Sequence, residues 1–199
     1  MKTKLWFGLL SCFVSAAPLA LSQGTYVYDQ QSSTDEDFNL GGGAIQFASV
    51  GQSLAPVLGT VDFVRLKLYD IAPGNSLGAN VVVNLRANAI NGTILGTTPA
   101  VSMADGFRGS VNFIFANSIS VTPDTTYYFD VFVQSGDNWG FMAMGDVYPR
   151  GSFYSGGFPT TGNDFWFREG VIVPEPSVVA LLSGGGVFIW LIRKKQRGR

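Results

Sequence analysis

Five residues, Gly74-Asn75-Ser76-Leu77-Gly78, match the pattern G-x-S-x-G that lifts a nucleophilic serine onto a strained turn. A serine in that position attacks only when a histidine takes its proton, and the chain contains no histidine. The stretch also follows Pro73 and precedes no helical pattern, so it reads as a glycine-rich loop. The densest carboxylate cluster, Asp35-Glu36-Asp37, reads first as a solvated loop, and has the hard oxygen donors that could hold calcium. Glycoside hydrolysis needs two carboxyl groups at a set separation, and no spacing among the acids selects such a pair. No catalytic residues are therefore expected.

Aromatic side chains are the strongest remaining signal. Trp139, Phe141, Tyr148, Phe153, Tyr154, Phe158, Phe165, Trp166 and Phe167 crowd one stretch. Rings on a strand either fill a core or present an amphipathic face to a ligand such as a sugar. Alternation places Phe165 and Phe167 on one face and Trp166 on the other. The cluster reads first as core, and Trp139, Tyr148, Tyr154 and Trp166 are the candidates for exposed, ligand-binding positions, with polysaccharide as the ligand class.

Composition narrows the chemistry further. Between Gln23 and Val173 there are six basic residues against thirteen acidic ones. Such a domain does not neutralise phosphates, which argues against nucleic acid as a partner. The single cysteine, Cys12, lies in the first apolar run. The central region thus has neither disulfides nor the usual zinc, haem or iron–sulfur ligands. No cofactor is expected beyond calcium at Asp35, Glu36 and Asp37.

The elements that must position these residues read as strands. Val64, Leu66 and Leu68 alternate with Arg65, Lys67 and Tyr69. Val81, Val83 and Leu85 alternate with Val82, Asn84 and Arg86, and Tyr127, Phe129, Val131 and Val133 with Tyr128, Asp130, Phe132 and Gln134. Shorter candidates are 25–28, 44–49, 111–115, 139–144 and 165–173. Pro73-Gly74-Asn75, Asn91-Gly92, Thr122-Pro123-Asp124 and Ser135-Gly136-Asp137-Asn138 supply turns. Asn91-Gly92-Thr93 also fits a glycosylation sequon, but Asn-Gly is first a hairpin turn. The stretch 151–162 reads as a glycine-rich aromatic loop. About eight strands with glycine-rich connections predict an all-β, jelly-roll-like two-sheet sandwich over 23–172.

Both ends carry targeting patterns. Lys2 and Lys4 precede an apolar run over 5–17, and Ala20-Leu21-Ser22 offers small residues for cleavage before Gln23. This predicts a signal peptide over 1–22. At the other end, Pro174-Glu175-Pro176 precedes an uncharged apolar stretch, 177–192, and then Arg193, Lys194, Lys195, Arg197 and Arg199. The prolines set a helix start, and sixteen residues rise about 24 Å, a little short of a bilayer core. The basic tail fixes its cytoplasmic side, which predicts a membrane helix running from outside to inside.

This order of motif, apolar helix and basic cluster over 173–199 resembles the PEP-CTERM sorting signal. The resemblance implies recognition of Pro174-Glu175-Pro176 by an exosortase, cleavage near the motif, and transfer to the cell surface or exopolysaccharide matrix. A plain membrane anchor is the alternative. A second series, Gln52-Ser53-Leu54, the strands 61–68 and 81–86, 92–96, and Ser120-Val121-Thr122-Pro123-Asp124-Thr125-Thr126-Tyr127-Tyr128, resembles choice-of-anchor β-sandwich domains of bacterial surface proteins. That resemblance implies the fold and no activity. The sequence therefore points to a non-enzymatic exported protein, held at the inner membrane before processing. Its partners are the export machinery, an exosortase, the membrane, and polysaccharide or a surface protein. The alternative is a secreted, glycosidase-like hydrolase on a jelly-roll scaffold.

The sorting reading makes a direct prediction. With epitope tags placed before Pro174 and after Arg199, the first tag should reach the surface or medium without the second in an exosortase-bearing host. Glu175→Gln should keep the two tags together on one membrane-bound chain, because the helix still inserts but the motif is altered. Immunoblotting of cell and medium fractions reads both outcomes, and tags that stay joined in the unaltered protein would contradict the reading.

Overall fold

Alternation along residues 60–70 sets one sheet against another. Val61, Val64, Leu66 and Leu68 turn inward with no exposed surface, while Arg65 and Tyr69 stay partly exposed on the opposite face. The computed structural model describes residues 24–36, 42–45 and 50–175. The expected signal peptide over 1–22, Asp37, Pro176, the 177–192 helix and the basic residues Arg193, Lys194, Lys195, Arg197 and Arg199 lie outside the described residues.

Fourteen strands occur among the described residues, and no helix. They are β1 (Thr25–Gln31), β2 (Gly42–Ile45), β3 (Val50–Leu54), β4 (Thr60–Asp70), β5 (Ala79–Ala87), β6 (Ile94–Thr97) and β7 (Val101–Met103). They continue with β8 (Arg108–Ser120), β9 (Tyr127–Gly136), β10 (Trp139–Gly145), β11 (Phe153–Ser155), β12 (Phe158–Thr160), β13 (Asn163–Phe165) and β14 (Phe167–Val173). Two antiparallel seven-stranded sheets result. The first runs β1-β14-β4-β10-β13, with β8 also on β4 and β2 also on β10. The second runs β12-β11-β3-β9-β5-β6, with β7 also on β5. The all-β, two-sheet expectation holds, and residues Gly24–Val173 pack as one unit.

The stretch 151–162 departs from expectation. It forms the β11–β12 hairpin, in which Phe153 pairs with Thr160 and Ser155 with Phe158. Gly156 and Gly157 make the turn with φ of 63° and 83°. Both angles lie in the left-handed region, and a two-residue hairpin with that geometry matches strand twist.

The core between the sheets is aromatic. Phe141 stacks on Phe165 at 4.6 Å and on Phe153 at 5.3 Å. Phe129 meets Phe165 and Phe167 at 5.6 and 5.5 Å. Such pairs stabilise by about 0.5–1.5 kcal/mol each beyond their area burial. Two polar side chains sit among them. Gln52 Nε2 on β3 donates to Asp164 Oδ1 on β13 at 2.8 Å, and Gln52 Oε1 accepts from Phe165 N at 2.9 Å. Asp164 Oδ2 accepts from Val147 N and Tyr148 N, each at 2.7 Å. Both residues have no exposed surface, so these bonds replace the water they have lost.

Glu169 on β14 is the exception, because it is fully buried and neither carboxylate oxygen has a partner. Burial, reinforced by the charge of Asp29, raises its pKa to about 9, while the nearby backbone N–H of Gln30 acts the other way without reaching hydrogen-bond geometry. The folded protein thus holds a proton that the unfolded chain releases near 4.5. Stability from this group is complete below about 4.5 and falls as pH rises toward about 9. Glu169→Gln keeps the shape without an ionisable group. Urea midpoints should match the parent at low pH and exceed it increasingly from neutral to alkaline pH. Equal midpoints at pH 8 would contradict an ionisable, unpaired Glu169.

Candidate functional site

The structure separates the four aromatic positions expected to bind ligand. Trp139 is fully buried in the core between Ile45 and Asp70 of the neighbouring strands. Tyr148 is buried too. Its hydroxyl donates to Gln30 Oε1 at 3.0 Å and accepts from Ala55 N at 3.2 Å. Burial pushes its pKa up to about 12, against the opposing backbone bond from Ala55. Trp166 faces outward, as its alternation with Phe165 and Phe167 requires, yet has no exposed surface. Residues 33–36 cross over it, and its Nε1 donates to Asp35 O at 3.0 Å. Exposure is therefore corrected for Trp139, Tyr148 and Trp166, because neighbouring chain covers each. Tyr154 alone is half-exposed.

Tyr154 lies on the outer face of the second sheet. Its ring meets Tyr128 edge-on at 5.5 Å. Partial burial, with Tyr128 beside it, raises its pKa. Register explains the pairing, since Tyr154 sits opposite Gly51 and Gly51 opposite Asp130, while Ser53 faces Tyr128. Glycine at 51 leaves room between the rows. A Cβ there would lie 1.9 Å from Phe129 O and 2.9 Å from Ile90 Cδ1, so backbone and Ile90 together fill that space. The loop carrying Ile90 is pinned from below. Asp130 Oδ1 pairs with Arg86 Nε at 2.5 Å, Asp130 Oδ2 accepts from Asn84 Nδ2 at 3.1 Å, and Arg86 Nη1 donates to Gly92 O at 2.8 Å. The sequence placed Arg86 and Asp130 on solvent faces, but their pairing across β5 and β9 carried no local signal. Phe132 continues the same face of β9 with 56% of its surface exposed.

A second assembly covers the outer face of the first sheet. Lys67, only 1% exposed, places Nζ 4.5 Å from the Trp166 ring centre and donates to Asp35 O at 2.8 Å. Arg168 lies 5.0 Å from the Trp166 ring and 5.2 Å from Tyr28. Its Nη1 meets Glu36 Oε1 at 2.5 Å, and Arg65 Nη2 meets Glu36 Oε2 at 3.3 Å. The carboxylate of Glu36 and the carbonyl of Asp35 thus engage protein cations. Among the described residues no three acidic, histidine or cysteine side chains come together as a metal site. Asp37, the third residue of the calcium expectation, lies outside them. Of the sorting motif, Pro174 and Glu175 are exposed just past β14.

The G-x-S-x-G stretch is a loop, as expected. Asp105 accepts from Gly74 N at 2.7 Å and Ser76 N at 2.8 Å, and these bonds hold its pKa down. Ser76 itself has φ of 64°.

Fold and faces together define a two-sheet antiparallel β-sandwich with one aromatic outer patch and one cationic one. The chain matches no family model and no curated protein.

Truncation separates core rings from patch rings. Trp139→Ala should cost about 3–5 kcal/mol in chemical denaturation, the range for an aromatic lost from a core. Tyr154→Ala should cost about 1 kcal/mol or less, as expected away from the core. Similar losses at the two positions would contradict this division.

Proposed function

We propose that this protein is a non-enzymatic, exported surface or matrix protein whose sandwich binds polysaccharide. The observation that carries the reading is the Tyr128–Tyr154 pair, half-exposed on the outer face of the second sheet. Two rings in a fixed edge-on arrangement present apolar surface and hydroxyls together, which suits sugar rings with polar rims. Binding energy is not spent on ordering them, because Arg86 and Asp130 hold the adjoining loop in place. A jelly-roll strand arrangement is the finer form of this fold reading.

Export and sorting rest on the sequence. The N-terminal pattern would direct the chain across the inner membrane. The 177–192 helix would hold it there, and the PEP-CTERM-like motif would pass it through an exosortase to the surface. A glycosidase-like hydrolase on the same scaffold is the alternative, and it would need two carboxyl groups facing one substrate. Glu169, the carboxyl held protonated at neutral pH, has no exposed surface.

A glycan array probed with the full-length protein in detergent tests the binding reading. Binding to neutral polysaccharides should be detected, and Tyr154→Ala should weaken it by about tenfold, a difference of about 1.4 kcal/mol. Circular dichroism should show the fold retained. Undiminished binding by a folded Tyr154→Ala protein would remove the Tyr128–Tyr154 site, and no binding to any glycan would remove the polysaccharide reading.

A further inference from the structure

Two arginines on the outer face of the first sheet converge on one carboxylate that belongs to the protein itself. Arg65 and Arg168 stand opposite each other across β4 and β14. Both hold Glu36, whose side chain is half-exposed at the rim. Arg168 is 6% exposed, and its Nη2 has no partner, nor does the buried Nε of Arg65. Guanidinium groups present a planar fork of donors suited to carboxylates, and here part of each fork is unused.

The backbone around Glu36 is anchored independently of its side chain. Ser32 N donates to Phe167 O at 3.0 Å, and Phe167 N donates to Ser32 Oγ at 2.9 Å. Arg168 Nε donates to Ser33 O at 2.9 Å. The Glu36 side chain can therefore leave the two guanidinium groups while the chain over Trp166 stays in place. Hydroxyls line the rim. Tyr28 OH accepts from Arg65 Nη1 at 3.2 Å and keeps its own proton to donate, and Ser110 Oγ reaches Glu36 Oε2 at 3.4 Å.

We propose that Arg65 and Arg168 form a binding site for the carboxylate of an acidic sugar, a uronate residue of a polysaccharide, and that Glu36 occupies this site as an internal competitor. The uronate carboxylate replaces that of Glu36 on the two forks, and its ring hydroxyls meet Tyr28 and Ser110. A hydroxyl-bearing rim is what favours a sugar acid over an acidic peptide. Tethering gives Glu36 a high effective concentration, so the unaltered protein binds weakly and responds to dense, polyvalent ligand. This site uses the other sheet from the Tyr128–Tyr154 pair, so the two readings fail separately.

Isothermal titration of full-length protein in detergent tests it, with oligogalacturonate, its methyl ester and oligoglutamate of equal charge as probes. Glu36→Gln weakens the competitor and should tighten oligogalacturonate binding by about tenfold. Adding Arg65→Gln to Glu36→Gln should abolish that gain, and the methyl ester, which carries no carboxylate, should show no gain from Glu36→Gln. The proposal is overturned if Glu36→Gln binds oligogalacturonate no more tightly than the parent. It is equally overturned if the methyl ester gains as much as the free acid from Glu36→Gln, or if oligoglutamate binds as tightly as oligogalacturonate. Loss of neutral-glycan binding in Tyr154→Ala, with these results unchanged, would bear on the other site alone.

Discussion

The hydrogen bond from Gln52 to Asp164 joins the two sheets through the middle of an aromatic core. A carboxyl group without water is costly, and here three donors, Gln52 Nε2, Val147 N and Tyr148 N, replace its hydration. Gln52 returns the bond by accepting from Phe165 N. The arrangement fixes β3 against β13 and sets the 147–148 turn in one step. It also orients the three aromatic residues that follow, with Phe165 and Phe167 inward and Trp166 outward. With no cysteine between Gln23 and Val173, no disulfide assists. Register rests on this polar link and on the aromatic core around it.

From that link the two outer faces acquire their different characters. On the first sheet, Trp166 supplies a flat base on which Lys67 and Arg168 lie, and residues 33–36 close over it. Buried cations are tolerated there because ring faces, carbonyls and the Glu36 carboxylate stand in for water. On the second sheet, the β11–β12 hairpin carries Tyr154 to the edge of β3, where Tyr128 of β9 meets it. The backbone of both faces is thus held by cross-strand and side-chain contacts.

Strands β4, β5 and β9 were legible in the sequence because every second residue is apolar and turns into the core, as Val64, Leu66 and Leu68 show. β3 was harder to read. Its central Gln52 points into the core, and the partner that makes this acceptable lies 112 residues away. The β11–β12 hairpin passed for a loop because three-residue strands are too short to display a period. Alternation placed Trp166 correctly on the outer face but could not show that 33–36 would cover it. The same cover buries Lys67, which its strand position assigned to solvent. Tyr154 was legible as a candidate, whereas its companion Tyr128 and the pinning pair Arg86 and Asp130 come together only through strand register. Likewise, nothing in Asp35-Glu36-Asp37 announces that Glu36 faces two arginines from distant strands.

The account holds that the interior is closed to ligand and that recognition belongs to the outer faces. Hydroxyl-radical footprinting of the full-length protein, with and without polysaccharide recovered from outside the cells that make it, tests this most directly. Tyr128 and Tyr154 should be oxidised in the free protein and protected when polysaccharide is added, while Trp139 stays weakly labelled in both. Unchanged labelling of Tyr128 and Tyr154 on saturation with polysaccharide, or strong labelling of Trp139 in the free protein, would contradict the account.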